Sequence, residues 1–280
     1  MPLGDQKFYG GPQLAREIVK NLKFKKYDGK FEIAEFAKML DDAYLATKRP
    51  DGEMIKKSFS PSSLGYGQGN CPRYWYMAFS GAHFIDNNDA QAIANMAHGT
   101  QAHERLQDLI KKQSTDLFKT TKIGSVQTEV EITNEYPPIR GFIDLIIDWD
   151  GTDVIGEIKT AKQEVWDTRQ AEMSPSGNHM LQLLTYMKLK DVNEAFFLYE
   201  NKNTQEVLLI PIQMTAKNKE IIDNLFLWMC EVWDNFKDGD LPMRPYAKTS
   251  YACKNCPVKK ECWAGETGTV QIDAYEVAKP

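Results

Sequence analysis

The chain has 280 residues, 42% of them hydrophobic and 26% charged, with a formal net charge of −5. This is the make-up of a globular protein able to bury a full core, and it excludes a chain that coats nucleic acid by bulk positive charge. No apolar run is long enough to span a membrane and the opening residues lack the apolar core of a signal peptide, so a cytoplasmic location is expected.

Residues 1–57 carry apolar side chains at helical spacing in GPQLAREIVKNL and EIAEFAKMLDDAYLATKR, with a turn signal at Asp28-Gly29 between them. They are expected to form a helical extension. The intervening KFKK, and VKK at 258–260, read as solvated surface lysines. A polar loop follows, SFSPSSLGYGQGNCPRYWYMAFSG, then a long helix, NDAQAIANMAHGTQAHERLQDLIKKQ. GSVQTEVEITN alternates as a strand until Pro137-Pro138 interrupts it. GFIDLIIDWDGTDVIGEIKTAK supplies two more strands, and GNHMLQLLTYMKLK a helix. EAFFLYENKNTQEVLLIPI reads as a strand hairpin, and KNKEIIDNLFLWMCEVWDNFKDG as an amphipathic helix ending at Gly239. A cysteine-rich segment and a polar tail, 266–280, close the chain. This order predicts an α/β fold with a mixed sheet flanked by helices.

Charged residues are rare inside apolar strands unless they are paired or bind something. Asp144, Glu157 and Lys159 occupy such positions. Asp150-Gly151 is a favoured two-residue hairpin turn. That turn sets Trp149 opposite Thr152 and Asp144 opposite Glu157. Opposed carboxylates destabilise a hairpin without compensation. Oxygen ligands of this kind suit Mg²⁺ or Mn²⁺, which activates water toward a phosphodiester. The alternative is a solvent face on which Lys159 forms a surface ion pair. Phe142 and Ile146, expected on the face of Asp144, count against it.

GFIDLIID…GEIKT resembles the Asp…Glu-x-Lys core of the restriction-endonuclease-like, or PD-(D/E)XK, nucleases. It is most similar to the RecB branch, where Gly-x-x-Asp precedes Glu-x-Lys-Thr. The branch carries an upstream Gly-Thr-x-x-His, matched by Gly99, Thr100 and His103, and a later Gln-x-x-x-Tyr, matched by Gln182 and Tyr186. The resemblance implies a restriction-endonuclease-like fold over about 58–265. Asp144, Glu157, His103 and the Ile158 carbonyl would hold the metal. Lys159 would position the attacking water, with Gln182 and Tyr186 orienting substrate or lysine. His98 and His179 are read as structural.

Five cysteines in a chain with no export signal suggest metal ligation before disulfides. Cys253, Cys256 and Cys262 form a Cys-x₂-Cys-x₅-Cys run, and a Cys₄ centre needs one more ligand. Cys230 lies in a helix read as buried core. Cys71 lies in a segment resembling the Ser-x-x-x-Leu…Cys-Pro-Arg-x-x-Tyr signature of iron–sulfur members of the branch. One cysteine before the core and three after it resembles the CRISPR-associated iron–sulfur exonucleases, including phage-type stand-alone members. This implies a 4Fe–4S cluster on Cys71, Cys253, Cys256 and Cys262, joining the two ends of the chain. Structural Zn²⁺ is the alternative.

The expected function is metal-dependent DNA hydrolysis, as an exonuclease on single strands or ends. Recombination, replication or CRISPR-adaptation proteins are the expected partners. The alternative is a non-catalytic DNA-end-binding or assembly module. Tyr74 and Trp75 are candidates either for stacking on unpaired bases or for packing around the cluster.

Overall fold

The computed structural model describes residues 30–113 and 122–264. The helix expected at 11–22, the KFKK cluster and the tail 266–280 lie outside the described residues. The chain divides into two compact units, Met1–Asp41 and Asp42–Pro280. Helix α1, Ile33–Leu45, follows the helical spacing of its sequence, and none of its residues is buried. The site lies in the second unit.

Strand β1, Gly52–Glu53, pairs antiparallel with β2, His83–Phe84. The segment between them is not the polar loop expected from its Ser, Gly and Pro content. Two 3₁₀ turns, Pro61–Ser63 and Gly67–Asn70, lead into helix α2, Pro72–Phe79. Pro72 suits the first helical turn, where its missing N–H has no partner to lose. Phe59, Leu64, Tyr74, Trp75 and Phe79 are buried together with Met229, Val232 and Val258. Aromatic burial overrides the loop-like composition, because each ring removes a large apolar area from water.

Helix α3, Ala90–Gln113, precedes the sheet. Strands β3 (Ile123–Asn134), β4 (Ile139–Trp149), β5 (Thr152–Ala161), β6 (Glu194–Asn201) and β7 (Val207–Gln213) lie in sequence order. Neighbours are antiparallel except β5 and β6, which are parallel. A parallel pair needs a crossover, here made by helices α4 (Gln163–Glu172) and α5 (Gly177–Lys190). Helix α4 escapes the sequence pattern because it is mostly polar and buries only Trp166. Leu183, Leu184, Tyr186 and Met187 of α5 pack on Ile143, Ile146, Ile155 and Phe197. Leu106 of α3 packs with Leu145, Ile158 and Leu198. The mixed sheet is thus flanked by helices, as expected. Helix α6 (Ala216–Asp238) ends at Gly239, and short helices α7 (Tyr251–Lys254) and α8 (Lys259–Cys262) follow. Among the described residues, no helix is long and apolar enough to cross a membrane.

Candidate active site

The turn joining β4 to β5 has φ of 55° at Asp150 and 83° at Gly151. Two positive values define the hairpin turn whose twist matches the flanking strands. The ladder runs from Trp149–Thr152 to Leu145–Gly156 in the register read from the sequence, and its pairing ends there. Asp144 and Glu157, next in that register, are not joined by backbone pairing. Beyond this point β5 keeps its partner β6, through Ile158–Leu198 and Lys159–Tyr199. The Asp144 carboxylate takes over from the ladder: its Oδ2 accepts the Ile158 backbone N–H at 2.7 Å. A buried N–H must find a partner, and here a side chain supplies it. The fork between the two strands is where the charged groups gather.

Strand alternation also breaks at this fork. Ile143 and Ile146 both join the core under α5, whereas Leu145 joins the one under α3. Phe142 therefore does not share a buried face with Ile146, as the sequence pattern suggests. It is 44% exposed.

Glu157 is 1% exposed. Its Oε1 accepts from Lys159 Nζ at 2.6 Å, while its buried Oε2 has no hydrogen-bond partner. Burial pushes this carboxyl up to about 7, against the pull of Lys159 and with the help of the Asp144 charge. A buried carboxylate with an idle oxygen fits a cation. Lys159 also donates to Gln182 Oε1 at 3.1 Å, and Gln182 Nε2 donates to the Tyr186 hydroxyl at 3.5 Å. Burial alone lowers the Lys159 pKa, but Glu157 and Asp144 outweigh it and raise it. The lysine thus stays an ammonium, held between a carboxylate and the Gln182–Tyr186 pair on one face of α5.

His103 comes from α3. Its Nδ1 lies 3.6 Å from Asp144 Oδ1. Burial lowers its pKa, and the nearby Asp144 carboxylate raises it by more. His179 stands apart from this set, with Nδ1 2.8 Å from the Tyr199 hydroxyl. Burial first, then Lys159 and Arg169, lowers its pKa to about 3.

Two residues missed by the sequence reading complete the cluster. Ligand atoms of His103, Glu129 and Asp144 all lie within 4.8 Å of one another. Glu129 falls between the pairs Thr128–Leu145 and Val130–Ile143, level with Asp144. Its φ of 52° is left-handed, which a non-glycine residue adopts at a cost. Gln107 sits one turn along α3 from His103. Its Nε2 donates to Glu129 Oε1 at 2.7 Å and to the Asp144 carbonyl at 3.1 Å. The His103–Gln107 spacing was a legible signal. The pairing of Glu129 with Asp144 was not, since it depends on the register across Pro137-Pro138.

Cys71, Cys253, Cys256 and Cys262 line one pocket, with Tyr74, Arg244, Tyr246 and Trp263 around them. Burial pushes Cys256 up to about 12 and raises Cys71, which the N–H groups of Tyr74 and Arg73 partly oppose. Each of these two thiols also feels the charge of Cys253 and Cys262. Cys230 is half-buried rather than core, and does not line this pocket. Tyr74 is 4% exposed and Trp75 fully buried, so they pack and do not present a stacking surface.

A sheet that forks at Asp144, with Glu157-x-Lys159 on the next strand, defines a nuclease of the PD-(D/E)XK type. The sequence profile of the PD-(D/E)XK nuclease superfamily matches residues 102–263, more than half of the chain, and the chain belongs to this superfamily. No curated protein matches it. Among solved structures, SSO0001 is 18% identical with a TM-score of 0.44, covering 85% of this chain and 100% of that one. An alkaline exonuclease from Laribacter hongkongensis is 13% identical with a TM-score of 0.47, covering 72% and 95%. A phage-related exonuclease from Haemophilus somnus 129PT is 14% identical with a TM-score of 0.34, covering 50% and 72%.

Proposed function

We propose that this protein is a divalent-metal-dependent deoxyribonuclease acting as an exonuclease on single strands or DNA ends. The observation that carries this reading is Glu157: one oxygen of its buried carboxyl rests on Lys159 and the other has no hydrogen-bond partner. Asp144, Glu157, His103 and the Ile158 carbonyl, with Glu129 added, would hold Mg²⁺ or Mn²⁺. Such an ion lowers the pKa of a bound water and offsets charge on a phosphoryl oxygen.

The remaining work falls to the chain's own groups. Hydrolysis adds water across a P–O bond, placing hydroxyl on phosphorus and a proton on the departing oxygen. Lys159 Nζ orients the attacking water and meets negative charge developing on phosphorus. Its reach is set by Glu157 and Gln182, and Tyr186 holds Gln182 in turn. Asp144 is oriented by its bond to the Ile158 N–H.

The reading is tested by manganese-dependent digestion of end-labelled single- and double-stranded DNA with blocked 5′ or 3′ ends. Wild type is expected to degrade free ends and Lys159→Ala to lose at least about 100-fold, the scale of removing one positioned charged donor. Equal digestion by both proteins, or none by either, sinks the catalytic assignment. The second of these results points instead to a DNA-end-binding module.

Cys71, Cys253, Cys256 and Cys262 are proposed to hold a 4Fe–4S cluster that ties the segment before the sheet to the one after it. The four thiols line one pocket, as either a 4Fe–4S cluster or a tetrahedral zinc site would require. Anaerobically purified protein is expected to be brown and to contain iron; colourless, zinc-containing protein would reject the cluster.

A further inference from the structure

The cleft beside Asp144 holds an aromatic side chain that neither the core nor the catalytic groups use. Phe142 lies two residues before Asp144 on β4 and is 44% exposed. Phe142 is exposed between the buried Gly141 and Ile143, on the strand side it shares with the exposed Arg140. The cleft, about 340 Å³, is lined by Phe142 together with Asp144, Glu129, Ser58, Ser60 and Ser62.

The ring is held in place. The Arg140 guanidinium lies 5.4 Å from its centre, and Arg140 Nε donates to Glu131 Oε1 at 2.6 Å. Glu131 pairs with Phe142 across the β3–β4 ladder. Arginine, glutamate and phenylalanine therefore form one braced unit at the mouth of the cleft. The wall on the helix side is equally defined. A Cβ added to Gly141 would sit 2.9 Å from the Tyr186 hydroxyl and 3.1 Å from Pro61 Cδ. Gly141, Tyr186 and Pro61 line the same cleft as Phe142 and Asp144.

We propose that this cleft seats an unpaired nucleotide, with a base stacked on Phe142 and the hydroxyls of Ser58, Ser60 and Ser62 available to its phosphate. A base inside a duplex has both faces covered by its neighbours, so the ring selects for a single strand. Stacking on an aromatic ring tolerates any base, which suits processive degradation. This subsite rests on the nuclease reading for its position, and it names the substrate form that the reading leaves open.

Binding separates the two. Anisotropy of a labelled single-stranded oligonucleotide is measured with calcium in place of manganese. Phe142→Ala is expected to weaken binding about tenfold, within the range for losing one base–aromatic stack, and Phe142→Trp to preserve it. An abasic nucleotide walked along the strand is expected to reveal one position where wild type weakens equally and its advantage over Phe142→Ala vanishes. Equal affinity of wild type and Phe142→Ala for the intact strand overturns the proposal, as does an advantage that survives every abasic placement. Phe142-dependent binding by a wild type that never cleaves with manganese leaves the subsite standing and removes the nuclease reading.

Discussion

Glu129 holds a backbone conformation that costs roughly 1–3 kcal/mol for a residue with a side chain. Such strain persists only where the surroundings impose it, and here Gln107 fastens the carboxylate beside Asp144 and His103. If the carboxylate serves the metal, Glu129→Gln keeps the shape and the Gln107 contact but removes the charge. Its manganese affinity is expected to fall roughly 10–100-fold, the scale seen when groups supporting a metal site are altered. In a thermal melt, each tenfold loss removes about 1.4 kcal/mol of the stabilisation given by saturating manganese. An unchanged manganese-induced shift would leave Glu129 as a structural oddity. The strain itself is invisible in TEVEI, where both glutamates read as solvent-facing strand positions.

At the scale of elements, the β4–β5 hairpin was readable because Asp150-Gly151 dictates its own turn and the turn dictates the register. Where that register stops was not readable, since the fork arises from β5 pairing with β6, which lies over thirty residues away in sequence for every pair. The segment before α2 shows the opposite failure. Its composition suggests a loop, yet its geometry is tight. A Cβ on Gly69 would lie 1.6 Å from the Ser63 carbonyl oxygen, and the Gly69 carbonyl accepts the Trp75 indole N–H at 2.8 Å. Backbone cannot yield as a side-chain tip does. Gly69→Ala is therefore expected to destabilise by about 3 kcal/mol or more, at the upper end of overpacking costs. It should also perturb Cys71 two residues on. Chemical denaturation with parallel metal analysis checks both, and wild-type stability would show that the turn has room to rearrange.

Over the whole molecule, the sheet carries the acidic fork while the four cysteines line one pocket between segments nearly two hundred residues apart in sequence. Cys71 enters from the turn before α2, and the other three from around α7 and α8. Cys71→Ser is expected to lose bound metal and to lower the melting temperature. Cys230→Ser, altering a thiol that does not line that pocket, should keep the metal. Equal metal content in wild type and Cys71→Ser would remove Cys71 from the ligand set. What the sequence determined by itself was local: the turn at Asp150-Gly151, the Glu157–Lys159 alternation, the helical spacing Gln182–Tyr186, and the cysteine run. These follow from strand and helix periods within a few residues. Tertiary structure alone decided that Glu129 stands level with Asp144, that Asp144 caps the Ile158 N–H, that Tyr74 and Trp75 are core, and that Phe142 faces the cleft. Each depends on which distant segment supplies a strand's partner or covers a ring, and no local period encodes that choice.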